Sequence, residues 1–144
     1  MTNTSLPSGT VTFLFTDIEG STRLWQEQPE AMAIAHARHD EILRTAIESN
    51  HGYVFQIVGD SFSAAFHNAI DALNAVLLAQ RGLHTETWGM TGAIKVRMGL
   101  HTGTAEILPD GKYEGYATIA STQRVMSAAH GGQALLTQTT HDLL

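Results

Sequence analysis

The stretch from Val11 to Trp25 constrains the fold of this chain more than any other segment. Residues 11–16 read Val-Thr-Phe-Leu-Phe-Thr and alternate with the two-residue period of a β-strand. The strand runs into Asp17, and residues 20–22 (Gly-Ser-Thr) then suit a tight turn and a helix start with free backbone N–H groups. Such an end could hold a divalent cation beside a phosphate, although Asp17 could equally cap or solvate a turn.

Composition limits the classes of protein to which this chain can belong. The 144 residues suffice for one domain with a core, and 43% hydrophobic against 15% charged residues indicates a folded globule. A net charge of −6 disfavours direct binding to nucleic acid, and the absence of cysteine excludes disulfides and thiolate metal sites. The sequence shows neither a membrane-spanning apolar run nor a signal peptide, so a cytoplasmic location without membrane attachment is predicted.

Apolar spacing indicates one domain of strands and helices at residues 10–144, after a flexible lead of residues 1–9. Tyr53–Val58 and Ser61–Phe66 are predicted strands, and the two residues between them are typical of a hairpin turn. Helices are predicted from Pro29 to just before Gly52, after Asn68, from Tyr116 to Ala129, and from Thr140. Further strands are predicted at residues 94–100 and 133–137. Another strand is predicted to continue from His101, with a break at Gly103.

This order of elements predicts an α+β fold, a ferredoxin-like βαββαβ antiparallel sheet with helices on one face. The first strand would be central, beside the hairpin, so that Asp17 and Asp60 lie side by side. Two converging carboxylates are unfavourable unless a cation neutralises them. A pair of divalent metals bridged by two aspartates is a common arrangement for in-line displacement at phosphorus.

Four segments resemble the catalytic domain of class III nucleotidyl cyclases, of the compact bacterial type. They are residues 15–22 (Phe-Thr-Asp-Ile-Glu-Gly-Ser-Thr), 58–62 (Val-Gly-Asp-Ser-Phe), 96–103 (Val-Arg-Met-Gly-Leu-His-Thr-Gly), and Arg124 followed by 128–133 (Ala-Ala-His-Gly-Gly-Gln). The resemblance covers residues 10–144 in the family's order. It implies conversion of a nucleoside triphosphate to a 3′,5′-cyclic nucleotide and pyrophosphate in intracellular signalling, and ATP is favoured over GTP as the substrate. Similar domains often begin larger transcriptional regulators.

The resemblance also implies roles for individual residues. Asp17 and Asp60 would hold two Mg²⁺ or Mn²⁺ ions, helped by the backbone carbonyl of Ile18. Arg124 would stabilise the charged transition state from the partner chain, because family active sites form between two protomers of a head-to-tail homodimer. Phosphate binding is expected from the amides around Glu19, Gly20, Ser21 and Thr22.

The sequence departs from the family pattern at the positions that read the substrate. Gln56 stands where a lysine usually recognises adenine, and Lys112 or Tyr113 stands where an aspartate reads the purine. Ala120 replaces the asparagine that orients the ribose, a loss expected to cost on the order of 10²-fold in rate. Gln56 can donate and accept, so it could serve adenine or guanine. The family usually continues beyond the helix begun by Thr140, so this chain is expected to be part of a longer protein.

Two alternatives to an active, weak cyclase remain open at this stage. A degenerate cyclase domain could bind nucleotide or only dimerise, as a regulatory module without turnover. A haloacid-dehalogenase-type phosphatase would use Asp17 as nucleophile and Glu19 as the acid two residues on. That fold needs a parallel β-α-β core and a later Gly-Asp-x-x-x-Asp, which the sequence lacks at Asp60. The histidines His36, His39 and His51 are predicted at a helix surface or core edge and not as metal ligands.

Overall fold

A computed structural model describes residues 5–144 of the chain. The strands are β1 (Gly9–Ile18), β2 (Tyr53–Val58), β3 (Ser61–Phe66), β4 (Val96–Ile107), β5 (Tyr113–Glu114) and β6 (Ala134–Leu136); the helices are α1 (Ser21–Glu27), α2 (Pro29–Glu48), α3 (Ala69–Thr85), α4 (Tyr116–Ala128) and α5 (Gln138–His141). Residues 1–4 of the predicted flexible lead lie outside the described residues. Just after them, Pro7 is buried, and its carbonyl accepts a hydrogen bond from Tyr113 Oη at 2.7 Å.

The sheet has the order β2-β3-β1-β4-β5, and β1 pairs antiparallel with both β3 and β4. This confirms the α+β prediction with the first strand in the centre and the β2–β3 hairpin beside it. It also excludes the parallel core that a haloacid-dehalogenase-type phosphatase needs. The sheet is mixed and not wholly antiparallel, because β6 pairs in parallel with residues 98–100 of β4.

Helices cover both faces of the sheet, so the prediction of helices on one face is wrong. Leu14 and Leu100 point to one face and pack in a core with residues of α2 and α3. Phe13 and Phe15 point to the other face and share a core with Met126 of α4. The alternating pleat of a strand sends neighbouring side chains to opposite faces, and β1 is buried without interruption from Val11 to Thr16, so both of its faces are covered.

Two glycines of β4 let α4 lie directly on the second face. A Cβ atom at Gly99 would meet the backbone nitrogen of Met126 at 2.4 Å, and one at Gly103 would meet Thr118 Oγ1 at 2.6 Å. The predicted strand break at Gly103 is therefore wrong, because this glycine continues the ladder and faces Val11 across it. β4 runs unbroken for 12 residues, and its glycines serve the close approach of a helix.

Several element boundaries follow local sequence signals, whereas others differ from the prediction. Asn68 caps α3, since its side chain accepts a hydrogen bond from Asp71 N at 2.8 Å. Pro29 occupies the first turn of α2 as predicted. The last helix was expected from Thr140, but it spans Gln138–His141 and begins after Thr137, whose side chain caps it. Within residues 5–144, no helix combines the length and apolar character needed to cross a bilayer.

We expect Gly99→Ala to destabilise the protein by about 1–3 kcal/mol, because the added methyl group collides with the backbone of α4. Urea denaturation followed by circular dichroism measures this change. Gly89→Ala is the matched control, since a Cβ atom there meets nothing within 4 Å. Equal midpoints for the two variants would contradict the close packing of α4 on β4.

Candidate functional site

Asp17 and Asp60 lie at the same end of neighbouring strands, as the sequence predicted. The last register pair of β1 with β3 is Thr16 opposite Phe62, so each aspartate lies within two residues of that pair. Asp60 follows Gly59 in the two-residue hairpin turn, where Gly59 has a φ of 61°. The antiparallel register of the central strands therefore brings both carboxylates to one edge of the sheet.

Arg97 of β4 binds both oxygens of Asp17. Arg97 Nε donates to Asp17 Oδ1 at 2.7 Å, and Nη2 donates to Oδ2 at 2.6 Å. The side chain of Arg97 is 31% exposed and that of Asp17 is 18% exposed, and the two residues face each other across the β1–β4 ladder. The hydrogen bond to Asp17 raises the pKa of Arg97, and the charges of Asp17, Glu19 and Asp60 add to this effect. One guanidinium thus lies in the field of three carboxylates.

Asp60 offers a carboxylate oxygen that no group of residues 5–144 satisfies. Its Oδ2 is buried without a hydrogen-bond partner in this part of the chain. Its charge acts on His39 as well as on Arg97, so Asp60 lies near residues on both sides of the sheet end. An unsatisfied, buried carboxylate oxygen is costly by itself and is the kind of ligand that Mg²⁺ and Mn²⁺ prefer.

The residues at this edge fit a divalent cation, with one condition. Among residues 5–144, no cluster of three or more His, Asp or Glu side chains could enclose an ion. A cation here would be held by Asp60, Asp17 and the main-chain oxygen of Ile18 at the end of β1, with water or phosphate oxygens completing its shell. Because Arg97 occupies both oxygens of Asp17, this second aspartate becomes a full ligand only when Arg97 moves.

The segment predicted to hold phosphates is partly engaged within the protein. Glu19 N donates to the carbonyl of Lys95 at 2.9 Å, and Glu19 Oε1 accepts from Gly131 N at 3.0 Å. These bonds fasten the end of β1 to two other loops and leave the Glu19 amide unavailable to a ligand. Gly20 adopts φ 71° as the N-cap of α1, and no side chain caps this helix, so Ser21 and Thr22 start it with uncapped amides.

Three of the predicted base-reading positions line one cavity of about 550 Å³ between the hairpin and α4. Gln56, Lys112 and Tyr113 contribute to its wall, together with Ala120. Tyr113 is largely buried and its hydroxyl is bonded to Pro7; burial, with the neighbouring Tyr53, raises the pKa of this phenol. Tyr113 therefore supports the wall, and of these three positions Gln56 and Lys112 are the ones that leave a polar side chain for a base.

The cavity adjoins the aspartates, whereas Arg124 points elsewhere. Phe15 and Ser61 also line the cavity, and they lie two residues from Asp17 and one from Asp60, respectively. Arg124 is exposed on α4 and donates to Ser121 Oγ at 3.1 Å. Its charge acts on His101, whose pKa is lowered first by burial and then by Arg124. One protomer thus brings the residues predicted to bind metal and base close together and leaves Arg124 on the surface.

Arg97 and His39 were not singled out as site residues from the sequence. His39, expected at a surface or core edge, is fully buried and packs edge-on against Phe62. Its Nδ1 donates to Asp40 Oδ1 at 2.8 Å, and its Nε2 has no hydrogen-bond partner among residues 5–144. The sequence did contain a signal for this burial, because His39 falls in the apolar stripe of α2. For Arg97, only the strand register could have revealed the partner.

Comparisons with known proteins identify the family of the chain. Residues 4–144 match the family model described as "Adenylate and Guanylate cyclase catalytic domain". An uncharacterized protein of Mycobacterium tuberculosis is 45% identical over 141 residues, covering 96% of this chain and 46% of that protein. A receptor-type adenylate cyclase of Trypanosoma congolense is 31% identical over 171 residues, covering 91% of this chain and 23% of the cyclase.

The fold is also that of solved cyclase structures. A structure of adenylate cyclases from Trypanosoma brucei in their monomeric state superimposes with a TM-score of 0.89 at 27% identity, covering 98% of this chain and 78% of that one. The chain therefore belongs to the adenylate and guanylate cyclase catalytic domain family, whose members typically use two metal ions. It spans less than half the length of the two curated relatives, at 46% and 23%.

We expect His39 to make the protein less stable in mild acid. Burial lowers the pKa of His39 below its ordinary value of 6.5, so near and below that pH the unfolded chain binds a proton that the folded protein does not. Stability is full above about pH 6.5 and declines as the pH falls toward the folded-state pKa, by up to about 1.4 kcal/mol for each pH unit.

Urea denaturation of wild type and His39→Leu at a series of pH values between about 7.5 and 5.5 measures this decline. The variant should show the shallower decline. The control is His84→Leu, because His84 is exposed and forms no salt bridge among residues 5–144, and it should follow wild type. Parallel pH profiles for wild type and His39→Leu would contradict the assignment.

Proposed function

We propose that this chain is a nucleotide cyclase domain that converts ATP, less readily GTP, to the 3′,5′-cyclic nucleotide and pyrophosphate. The observation that carries the proposal is the unsatisfied Oδ2 of Asp60 at the strand end where Asp17 also lies. A second support is the cavity beside these aspartates, large enough for a purine. Membership of the cyclase family supplies the class of reaction.

The proposed chemistry assigns distinct tasks to the residues of this edge. Asp17, Asp60 and the carbonyl of Ile18 would hold two Mg²⁺ or Mn²⁺ ions, which when bound activate the attacking ribose oxygen and stabilise the leaving pyrophosphate. The uncapped amides of Gly20, Ser21 and Thr22 would orient the phosphates at the start of α1. Glu19 fastens this turn to Gly131 and so holds the amides in place.

The proposed active site is completed by a second copy of the chain in a head-to-tail homodimer. Arg124 is exposed and does not line the cavity of its own protomer, so it would act on the substrate of a partner. Two apolar side chains near the cavity also project into solvent, since Tyr116 is 89% and Val58 63% exposed. Exposed apolar groups around a polar site are typical of a surface that a partner covers.

Gln56 is proposed to read the base. It lies at the edge strand β2, next to a register irregularity between Val54 and Gln56, and its side chain is exposed at the cavity. A glutamine amide can turn to match either the adenine or the guanine edge, because it carries a donor and an acceptor. Lys112 across the cavity adds a donor only, which suits an acceptor atom of the base or a phosphate.

A second candidate function is a degenerate cyclase domain that binds nucleotide or dimerises without turnover. The bidentate hold of Arg97 on Asp17 and the presence of Ala120 at the ribose-orienting position favour it. Nucleotide binding without any cyclic product would identify this case.

For both candidate functions, we propose that the domain acts in the cytoplasm, where nucleoside triphosphates are available. We also propose that it signals to a larger transcriptional regulator of which it is a part.

We expect Asp60→Asn to reduce cyclase turnover by about 100-fold or more, because the amide cannot replace an anionic metal ligand. The assay measures cyclic AMP and cyclic GMP formed from each triphosphate with Mn²⁺ or Mg²⁺. Asp142→Asn is the matched control, since this carboxylate is 65% exposed and lies on the last helix turn. Absence of product from wild type under all four conditions would contradict cyclase activity.

We expect Gln56→Ala to weaken the use of both nucleotides, with KM rising about tenfold while kcat changes less. The reason is that truncation leaves the polar edge of the base without a partner in the cavity. Steady-state kinetics with ATP and with GTP measures the change. Gln26→Ala is a suitable control, because Gln26 is exposed on α1 and does not line the cavity. An unchanged KM for both nucleotides would exclude Gln56 from base recognition.

A further inference from the structure

The ion pair between Arg97 and Asp17 is set by the fold. The two residues are register partners in the β1–β4 ladder, so their side chains leave the same face of the sheet next to each other. Both carboxylate oxygens accept hydrogen bonds from the guanidinium, at 2.7 and 2.6 Å. Such a planar, bidentate contact is the strongest form of an Arg–carboxylate pair, and arginine cannot lose its charge to relieve it.

Asp17 and Asp60 differ sharply in their hydrogen bonds. Asp17 has both oxygens bound, whereas the buried Oδ2 of Asp60 has no partner within residues 5–144. Asp60 nevertheless lies at the same strand end as Arg97 and Asp17, because β1 pairs with both β3 and β4. The guanidinium thus partly neutralises the whole carboxylate pair, a task that a divalent cation would otherwise perform.

We infer that the guanidinium of Arg97 neutralises Asp17 in the metal-free protein, and that Arg97 must release Asp17 before Asp17 can fully coordinate a divalent ion. The inference rests on the proposed function, in which Asp17 and Asp60 are the metal ligands. A divalent ion and a guanidinium repel each other, and the bidentate contact uses one lone pair on each oxygen of Asp17, so Asp17 cannot give the ion its full coordination while Arg97 stays bound. Arg97 therefore sets the metal affinity of the site and keeps the carboxylates compatible with folding when the ions are absent.

Removal of the Arg97 charge should tighten metal binding. We expect Arg97→Gln to bind Mn²⁺ about tenfold more tightly than wild type, because the ion no longer displaces a bidentate partner. Arg97→Lys should fall between the two, since lysine keeps the charge but loses the planar fork. The matched control is Arg38→Gln, which removes a comparable Arg–Glu contact to Glu86 at 3.0 Å on the surface of α2.

The measurement is Mn²⁺ binding without nucleotide, by electron paramagnetic resonance of the free ion, on the full chain and its variants. Asp60→Asn identifies the site, because binding that this substitution abolishes belongs to the strand end. Tighter Asp60-dependent binding in Arg97→Gln, with Arg38→Gln equal to wild type, supports the inference. Equal or weaker Asp60-dependent binding in Arg97→Gln overturns it and leaves the proposed metal site intact. Absence of Asp60-dependent binding in both wild type and Arg97→Gln overturns the metal site and the inference together.

A second measurement follows Arg97 directly in the wild-type protein. The Nε–H resonance of Arg97, assigned by its absence in Arg97→Lys, is followed by NMR while Mg²⁺ is added to wild type. We expect this resonance to shift and broaden at the Mg²⁺ concentrations that bind, because the hydrogen bond to Asp17 Oδ1 at 2.7 Å is broken. A resonance that stays constant while Asp60-dependent binding proceeds would show that Arg97 keeps Asp17, and would overturn the inference.

Discussion

The antiparallel pairing of β1 with β4, from Gly9 opposite Ala105 to Ile18 opposite Val96, is the constraint on which the rest of the structure depends. It directs alternate side chains of both strands into two separate cores. It also aligns the two glycines of β4 beneath α4. At its second-to-last pair it sets Arg97 beside Asp17, so the same ladder that builds the core also determines the charge arrangement at the candidate site.

The candidate site therefore combines two unequal carboxylates with a cavity that can receive a base. Asp17 is neutralised by Arg97, whereas Asp60 keeps an unsatisfied oxygen in the hairpin turn. The surrounding loops are fastened by backbone groups, such as the Glu19 amide bonded to Lys95, and so give the edge a defined shape. In this arrangement, within the described part of the chain, Asp60 has a free oxygen for a cation, whereas Asp17 does not.

Local signals in the sequence predicted much of the fold because they act over a few residues. The two-residue turn at Gly59 and Asp60, the proline at the start of α2 and the Asn68 cap each follow from backbone preferences of the residues concerned. The continuity of β4 through Gly103 and the parallel pairing of β6 were not predictable in this way. Both depend on which element lies across the sheet, and strand-breaking glycines and helix-contacting glycines look alike in a sequence.

The features of the candidate site also fall into those that the sequence predicts and those that depend on tertiary contacts. The sequence by itself determined that two aspartates end neighbouring strands of an α+β domain, because period-2 alternation and a hairpin turn place them there. Only the tertiary structure decided that Arg97 binds one aspartate while the other is left unsatisfied, and that Gln56 and Lys112 share a cavity. These contacts join residues far apart in the chain, and their existence depends on register and on the packing of a helix over glycines, neither of which local propensity can express.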